Sequence, residues 1–93
     1  MEYTKMIKQI KNNLIKSQNV RKRDENASDV MAISFIDIEK SNKKINFLIN
    51  KLRSNDELIE EDINDILCDI GVEFRHVLYH IKDMLYYDYL DED

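Results

Sequence analysis

The feature that most constrains this chain is the near absence of the two residues that interrupt helices. Its 93 residues include no proline and a single glycine, Gly71. Tight turns and strand ends usually rely on these residues for backbone angles that other residues adopt poorly. Hydrophobic residues make up 43% of the chain and charged residues 35%, a balance typical of a folded globular protein rather than a disordered one. We therefore expect an all-α fold that forms a single domain over residues 1–93.

The strongest helical pattern lies in the C-terminal part of the chain. At about 100° per residue, one set of apolar side chains falls within a single arc of about 120° on a helical wheel. The set stays in phase past Gly71 and comprises Ile59, Ile63, Ile66, Leu67, Ile70, Phe74, Val77, Leu78, Ile81, Met84 and Leu85. Ser54 followed by Glu57 is the pattern of a capping box, which marks a helix start. We expect one long, two-faced helix over residues 55–88 and an acidic tail over residues 88–93.

Two further helices are expected before it, over residues 2–20 and 28–52. In the second of these, apolar residues alternate by four and three, as in a coiled-coil seam with one asparagine inside it: Met31, Phe35, Ile38, Asn42, Ile45, Ile49 and Leu52. An asparagine at such a position commonly fixes register or oligomeric state, and we expect that role for Asn42. Short turns between three helices favour a small bundle of three antiparallel helices.

Charge is distributed very unevenly along the chain. The net charge is −5, yet residues 1–23 carry seven bases against Glu2, and residues 54–93 carry thirteen acids against Arg75 and Lys82. A surface as acidic as this C-terminal part repels DNA and RNA and attracts cationic proteins. We therefore expect a basic protein partner and no direct nucleic acid ligand. Two other interpretations stay open: the acids could complement the basic first helix within the bundle, or could serve only to keep the protein soluble.

The last helix carries a second apolar stripe, about 180° from the first. It consists of Cys68, Val72, Tyr79, Tyr86 and Leu90. A row that contains tyrosines is typical of an interface, so we expect self-association through this stripe or through the seam at Asn42. The residues expected in the oligomer interface are Asn42, Cys68, Val72 and Tyr79. The residues expected to bind the partner are Asp62, Asp65, Asp69, Glu73, Tyr79, Asp83, Tyr86 and Asp88.

Between the two stripes runs a polar line that contains both histidines. Glu73 and His76 form an E-x-x-H pair, and His76 and His80 lie one helical turn apart. Two imidazoles beside a carboxylate can bind Zn²⁺ or a similar ion, which makes Glu73, His76 and His80 a candidate metal set. The simpler interpretation is a solvated flank of the helix, because helical di-iron sites repeat the motif and this sequence has it once. We expect neither a metal nor another cofactor.

The segment Arg75-His76-Val77-Leu78-Tyr79-His80 resembles the R-polar-x3-H signature of HEPN domains. These are small α-helical domains, many of them dimeric, metal-independent ribonucleases of toxin–antitoxin and phage-defence systems. The resemblance implies that Arg75 and His80 would be catalytic, with His76 in a supporting role. A cation and an imidazole that titrates near neutrality suit the stabilisation and protonation of groups around a scissile phosphate.

The pattern as a whole favours a binding protein over an enzyme. We expect a small acidic helical module of the inhibitor, antitoxin or immunity type, whose carboxylates imitate the phosphates of a nucleic acid on a basic surface of the partner. The alternatives are a HEPN-like ribonuclease, or a degenerate relative of one, and a structural homo-oligomer. A single cysteine, no signal-peptide pattern and no long apolar window favour a cytoplasmic protein, of its own or a host cell, without membrane contact.

Overall fold

The computed structural model describes residues 2–23, 25–54 and 56–86, and these residues form four helices. The helices are α1 (Glu2–Leu14), α2 (Gln18–Arg21), α3 (Ala27–Ser54) and α4 (Glu60–Tyr86). No strand occurs within the described ranges, which confirms the all-α prediction. None of the four helices combines the length and the apolar content that a membrane crossing would require.

The first predicted helix is interrupted, so the described part of the chain has four helices where three were expected. α1 ends at Leu14, and Ser17 adopts an extended backbone conformation with φ −81° and ψ 124°. The hydroxyl of Ser17 accepts a hydrogen bond from the backbone N–H of Val20 at 3.5 Å and thereby caps the one-turn helix α2. A serine side chain that satisfies a free backbone donor favours a new helix start over continuation of the preceding helix.

The last helix begins at Glu60, later than the predicted residue 55. α3 continues through Ser54, so this residue ends one helix instead of capping the next. The cap of α4 is made by Asp62, whose Oδ2 accepts the backbone N–H of Ile59 at 3.4 Å. Carboxylates in the first turn also interact favourably with the helix dipole. The predicted helix end at residue 88 and the acidic tail lie outside the described residues.

α3 is the central helix, and the other three helices pack against it. Ion pairing of Lys11 with Asp29 shows that the end of α1 lies beside the start of α3. Met84 shares a buried cluster with Met31, so the end of α4 also lies there. On a helical wheel, α1 and α4 contact different faces of α3. The described parts of α1 and α4 pack against each other much less than each packs against α3.

The interface between α3 and α4 is apolar at its two ends and polar in its middle. One end is a cluster of Val20, Ala27, Met31 and Met84. The other end is a cluster of Leu48, Ile66 and Ile70, against which Leu58 packs. The serines of α3 and the histidines of α4 occupy the stretch between these clusters.

α4 is rotated relative to the orientation that its apolar pattern predicts. Only Ile66, Ile70 and Met84 of the predicted core stripe are buried. The face of α4 that packs against α3 also includes Glu73 and His80. The centre of this face therefore lies about 60° from the centre of the predicted apolar stripe, on the side of the polar line. The remaining large side chains of the stripe, apart from the half-buried Val77, are 36–62% exposed: Ile59, Ile63, Leu67, Phe74, Leu78, Ile81 and Leu85.

The seam of α3 shows the same departure from the prediction. Met31 and Ile45 are buried, but Asn42, Ile49 and Leu52 are exposed. Because α3 and α4 run antiparallel, the exposed residues of both stripes fall on the same side of the helix pair. We call this side the apolar face, and it comprises Asn42, Ile49, Leu52, Leu67, Phe74, Leu78 and Leu85.

The burial pattern predicts that two leucines of equal size contribute very differently to stability. Leu48 is 9% exposed and Leu67 is 53% exposed. Leu48→Ala should lower the free energy of unfolding by about 2–4 kcal/mol, because it opens a cavity in a packed cluster. Leu67→Ala should cost less than about 1 kcal/mol at low protein concentration. Urea denaturation measures both values, and equal losses would show that α4 turns its predicted stripe inward.

Candidate functional site

The polar stretch between the two apolar clusters is the candidate site. α3 contributes residues at spacings of three and four, which lie on one helix face. α4 contributes two imidazoles one turn apart, facing the same stretch. The side chains that meet here are Ser34, Asp37, Ser41, His76 and His80.

Both histidines are held at their Nδ1 atoms by serine hydroxyls. Ser41 Oγ lies 2.6 Å from His76 Nδ1, and Ser34 Oγ lies 3.2 Å from His80 Nδ1. These contacts turn the opposite ring atoms towards each other, and the two Nε2 atoms are 3.1 Å apart. The rings meet edge to face, with an interplanar angle of 78°. Two unprotonated nitrogens at this distance would repel each other, so either one ring donates an N–H to the other or a cation lies between them.

Asp37 connects this pair to α1. Its Oδ2 lies 3.3 Å from His80 Nε2, and its Oδ1 accepts a hydrogen bond from the Tyr3 hydroxyl at 3.2 Å. Desolvation raises the pKa of the Tyr3 hydroxyl, and the Asp37 carboxylate raises that pKa further. Tyr3 therefore stays protonated at neutral pH and acts as a donor. Lys40 Nζ lies over the Tyr3 ring, 3.9 Å from its centre, in a cation–π contact.

The accessibility of these groups limits the chemistry they can perform. The side chains of His80 and Asp37 are 13% and 24% exposed, while His76 is open to solvent. Ser34 and Ser41 are buried in the middle of a helix, where the backbone amides already form helical hydrogen bonds. A serine nucleophile would need access to substrate and free donors for an oxyanion, and neither serine has them. The arrangement suits proton sharing or cation binding.

The structure places a different carboxylate at the histidines from the one that the sequence motif suggested. The donor atoms of Asp37, His76 and His80 all lie within 4.8 Å of one another. Glu73 instead lines a groove beside Lys44 and Phe47 of α3. Sequence reasoning missed Asp37 and both serines. Their signal was present as polar residues recurring at helical spacing beside the apolar seam of α3.

The residues of the HEPN-like motif are divided between two sides of α4. His76 and His80 face α3, whereas the Arg75 guanidinium folds back along its own helix towards Gly71. Its Nη1 atom lies 3.7 Å from the position that a Cβ on Gly71 would occupy. On a helical wheel Arg75 and His80 are about 140° apart. Within a single chain, the two histidines therefore lie together and Arg75 lies apart from them. The ribonuclease hypothesis stays a prediction.

The predicted partner-binding residues of α4 are divided between two places. Asp62, Asp65 and Asp69 line a groove beside Leu48 and Lys51 of α3. Tyr79 and Tyr86 lie further along the helix, beside Lys82 and Asp83. Asp62, Asp65 and Asp69 are exposed, Glu73 and Asp83 are half-buried, and Asp88 lies outside the described residues. Exposed fractions are 65% for Tyr79 and 80% for Tyr86. We call the exposed residues among these, together with the exposed Val72, the acid–tyrosine face: Asp62, Asp65, Asp69, Val72, Tyr79 and Tyr86.

The residues predicted for self-association lie on two different surfaces. Asn42 is part of the apolar face, while Cys68, Val72 and Tyr79 lie on the outer side of α4. All four are exposed in the single chain. The four residues therefore do not form one continuous surface, and each surface is a separate candidate for self-association.

Comparison of the chain with protein-family models, with curated proteins and with solved structures gives no match.

The position of Asp37 between α1 and α4 predicts a specific loss of stability. Asp37→Ala should lower the free energy of unfolding by about 1–3 kcal/mol, because it removes the contacts with Tyr3 and His80. The matched control is Glu39→Ala, an exposed carboxylate on the same helix, which should change it by less than about 0.5 kcal/mol. Thermal and urea denaturation report both values. Similar effects for the two variants would show that Asp37 is not a structural bridge.

Proposed function

We propose that this protein is a protein-binding module of the inhibitor, antitoxin or immunity type, with α4 as its binding element. The observation that carries the proposal is the burial of α4. Its described residues contribute three buried apolar side chains to the fold, Ile66, Ile70 and Met84. Nearly all its other large apolar side chains are exposed, including Phe74, Leu78, Tyr79, Leu85 and Tyr86 at 54–80%. Exposed apolar rows of this length mark interaction surfaces on soluble proteins.

The acid–tyrosine face fits a basic protein surface. Among the described residues, no ion pair joins Asp62, Asp65 or Asp69 to a base of the same chain. No direct ion pair therefore neutralises these three carboxylates, although Lys51 lines the same groove. Tyr79 and Tyr86, further along the same helix, supply large contact areas that lose little conformational entropy on binding. Carboxylates spaced along a helix repel the phosphates of a nucleic acid and attract the lysines and arginines that bind phosphates.

A second copy of the chain fits the apolar face better than it fits the acid–tyrosine face. Two copies meeting through Asp62, Asp65 and Asp69 would bring like charges together, which is unfavourable. The apolar face carries no carboxylate among its defining residues, so two copies can bury it without this repulsion. A chain of 93 residues buries only a modest share of its surface alone, and a dimer supplies the missing burial. The two faces thus have different occupants.

The basic-partner proposal predicts that the acids govern the rate of association. A partner captured from cells that express the chain is purified, and association and dissociation rates are measured between low and high salt. Asp69→Lys should lower the association rate at low salt about tenfold, because it removes electrostatic steering. Tyr86→Ala should instead raise the dissociation rate.

The matched control for the charge reversal is Glu39→Lys, which makes the same change on α3, away from the acid–tyrosine face. It should leave the association rate within about twofold of the unmodified chain. The proposal fails if both reversals slow association equally, or if the rate does not depend on salt. Capture of a nucleic acid in place of a protein would also contradict it.

Self-association is tested separately with two phenylalanines of similar exposure. Phe74 lies on the apolar face and is 54% exposed, while Phe47 lies beside the charged groove of α3 and is 61% exposed. Sedimentation should show a dimer for the unmodified chain and for Phe47→Glu, and a monomer for Phe74→Glu, because a buried unpaired carboxylate is costly at an interface. If the unmodified chain stays monomeric at high micromolar concentration, the proposed self-association is wrong.

A further inference from the structure

We propose that Asp37, His76 and His80 form a binding site for one divalent transition-metal ion, with Zn²⁺ as the best-suited ion. The proposal is independent of the binding function assigned to α4. It rests on the donor set, on the distances between the donors and on the groups that hold each donor in place. Two imidazole nitrogens and one carboxylate oxygen are ligands that Zn²⁺ and its neighbours in the first transition series prefer.

The donor distances match those of a zinc site. Zinc–nitrogen and zinc–oxygen bonds of about 2.0–2.1 Å in tetrahedral geometry place adjacent ligand atoms about 3.3 Å apart. The Nε2 atoms of His76 and His80 are 3.1 Å apart, and His80 Nε2 is 3.3 Å from Asp37 Oδ2. All three donors lie within 4.8 Å, so the remaining edge closes with a small movement of the Asp37 side chain. Because His76 is exposed, the fourth position opens to solvent and accepts water.

The surrounding contacts are those that orient metal ligands. A histidine that binds a metal through Nε2 usually donates its Nδ1–H to an oxygen, which leaves the Nε2 lone pair free. Ser41 and Ser34 provide that oxygen to His76 and His80, respectively. The Asp37 carboxylate is likewise oriented, by the hydroxyl of Tyr3. A metal ion would also remove the repulsion between two facing lone pairs.

The location explains why the ion would matter to the fold. Asp37 belongs to α3 and the histidines belong to α4, so one ion would join the two helices at the centre of their interface. The donors lie between the two apolar clusters and belong to neither of them. Binding to the folded chain alone raises thermal stability in proportion to the logarithm of the metal concentration.

The experiment is titration of the chelator-treated full chain with ZnCl₂ by calorimetry, together with CoCl₂ titration followed by visible absorption. We expect one ion per chain, a raised melting temperature and the strong absorption bands of tetrahedral Co²⁺. His80→Ala should weaken zinc affinity by about 100-fold or more, and Asp37→Asn by about 10- to 100-fold. Ser41→Ala, which acts only by positioning His76, should weaken it by about tenfold.

The matched control is Glu73→Gln, which neutralises the carboxylate of the E-x-x-H motif and should change zinc affinity less than about threefold. Circular dichroism without metal checks that each variant is folded, and Tyr3→Phe tests the orientation of Asp37 without altering a ligand. If Asp37→Asn binds zinc as tightly as the unmodified chain, the histidines act only as a surface pair and the proposal is wrong. No binding at millimolar zinc would also overturn the proposal.

Discussion

The contact between α3 and α4 determines most of this structure, and its polar middle determines how α4 is oriented. Ser34 and Ser41 each hold one histidine, which fixes the rotation of α4 about its own axis as well as its position along α3. With the histidines facing inward, only one edge of the apolar stripe of α4 reaches the clusters at either end. The rest of the stripe faces solvent. Exposure of the apolar face therefore follows from the hydrogen bonds in the polar stretch.

The two exposed faces of α4 differ in charge and therefore in the kind of binding partner that suits each of them. Under the proposed function, the acid–tyrosine face, with its carboxylates and its two tyrosines, would accept a cationic protein and disfavour a second copy of itself. The apolar face has no such charge and can be buried against an identical surface. α1 does not neutralise the acids of α4, because it packs on another face of α3 and spends one of its lysines on Asp29. The basic α1 and the acidic α4 are thus separate electrostatic surfaces.

The sequence predicted the helices better than the way they pack. Absence of proline and the regular spacing of apolar residues were sufficient for the all-α fold, because helix formation depends on local pattern. The break at Ser17 depends on one side-chain hydrogen bond, to which apolar periodicity is insensitive. The rotation of α4 depends on contacts with α3, so its own stripe predicted the wrong face. The carboxylate at the histidines was missed for the same reason: Glu73 shares their helix, whereas Asp37 comes close only after α3 and α4 pack.

Stability alone does not account for the polar stretch. Apolar side chains at the positions of Ser34, Ser41, His76 and His80 would extend one cluster into the other, and such replacements commonly leave stability equal or higher. They would also let α4 turn its full stripe inward, closing a conventional apolar core. The observed chain does the opposite: it keeps four polar groups at the centre of its main interface and leaves large apolar side chains uncovered. Both features are costly for an isolated chain, and both become favourable when a cation occupies the polar stretch and another protein surface covers the apolar face.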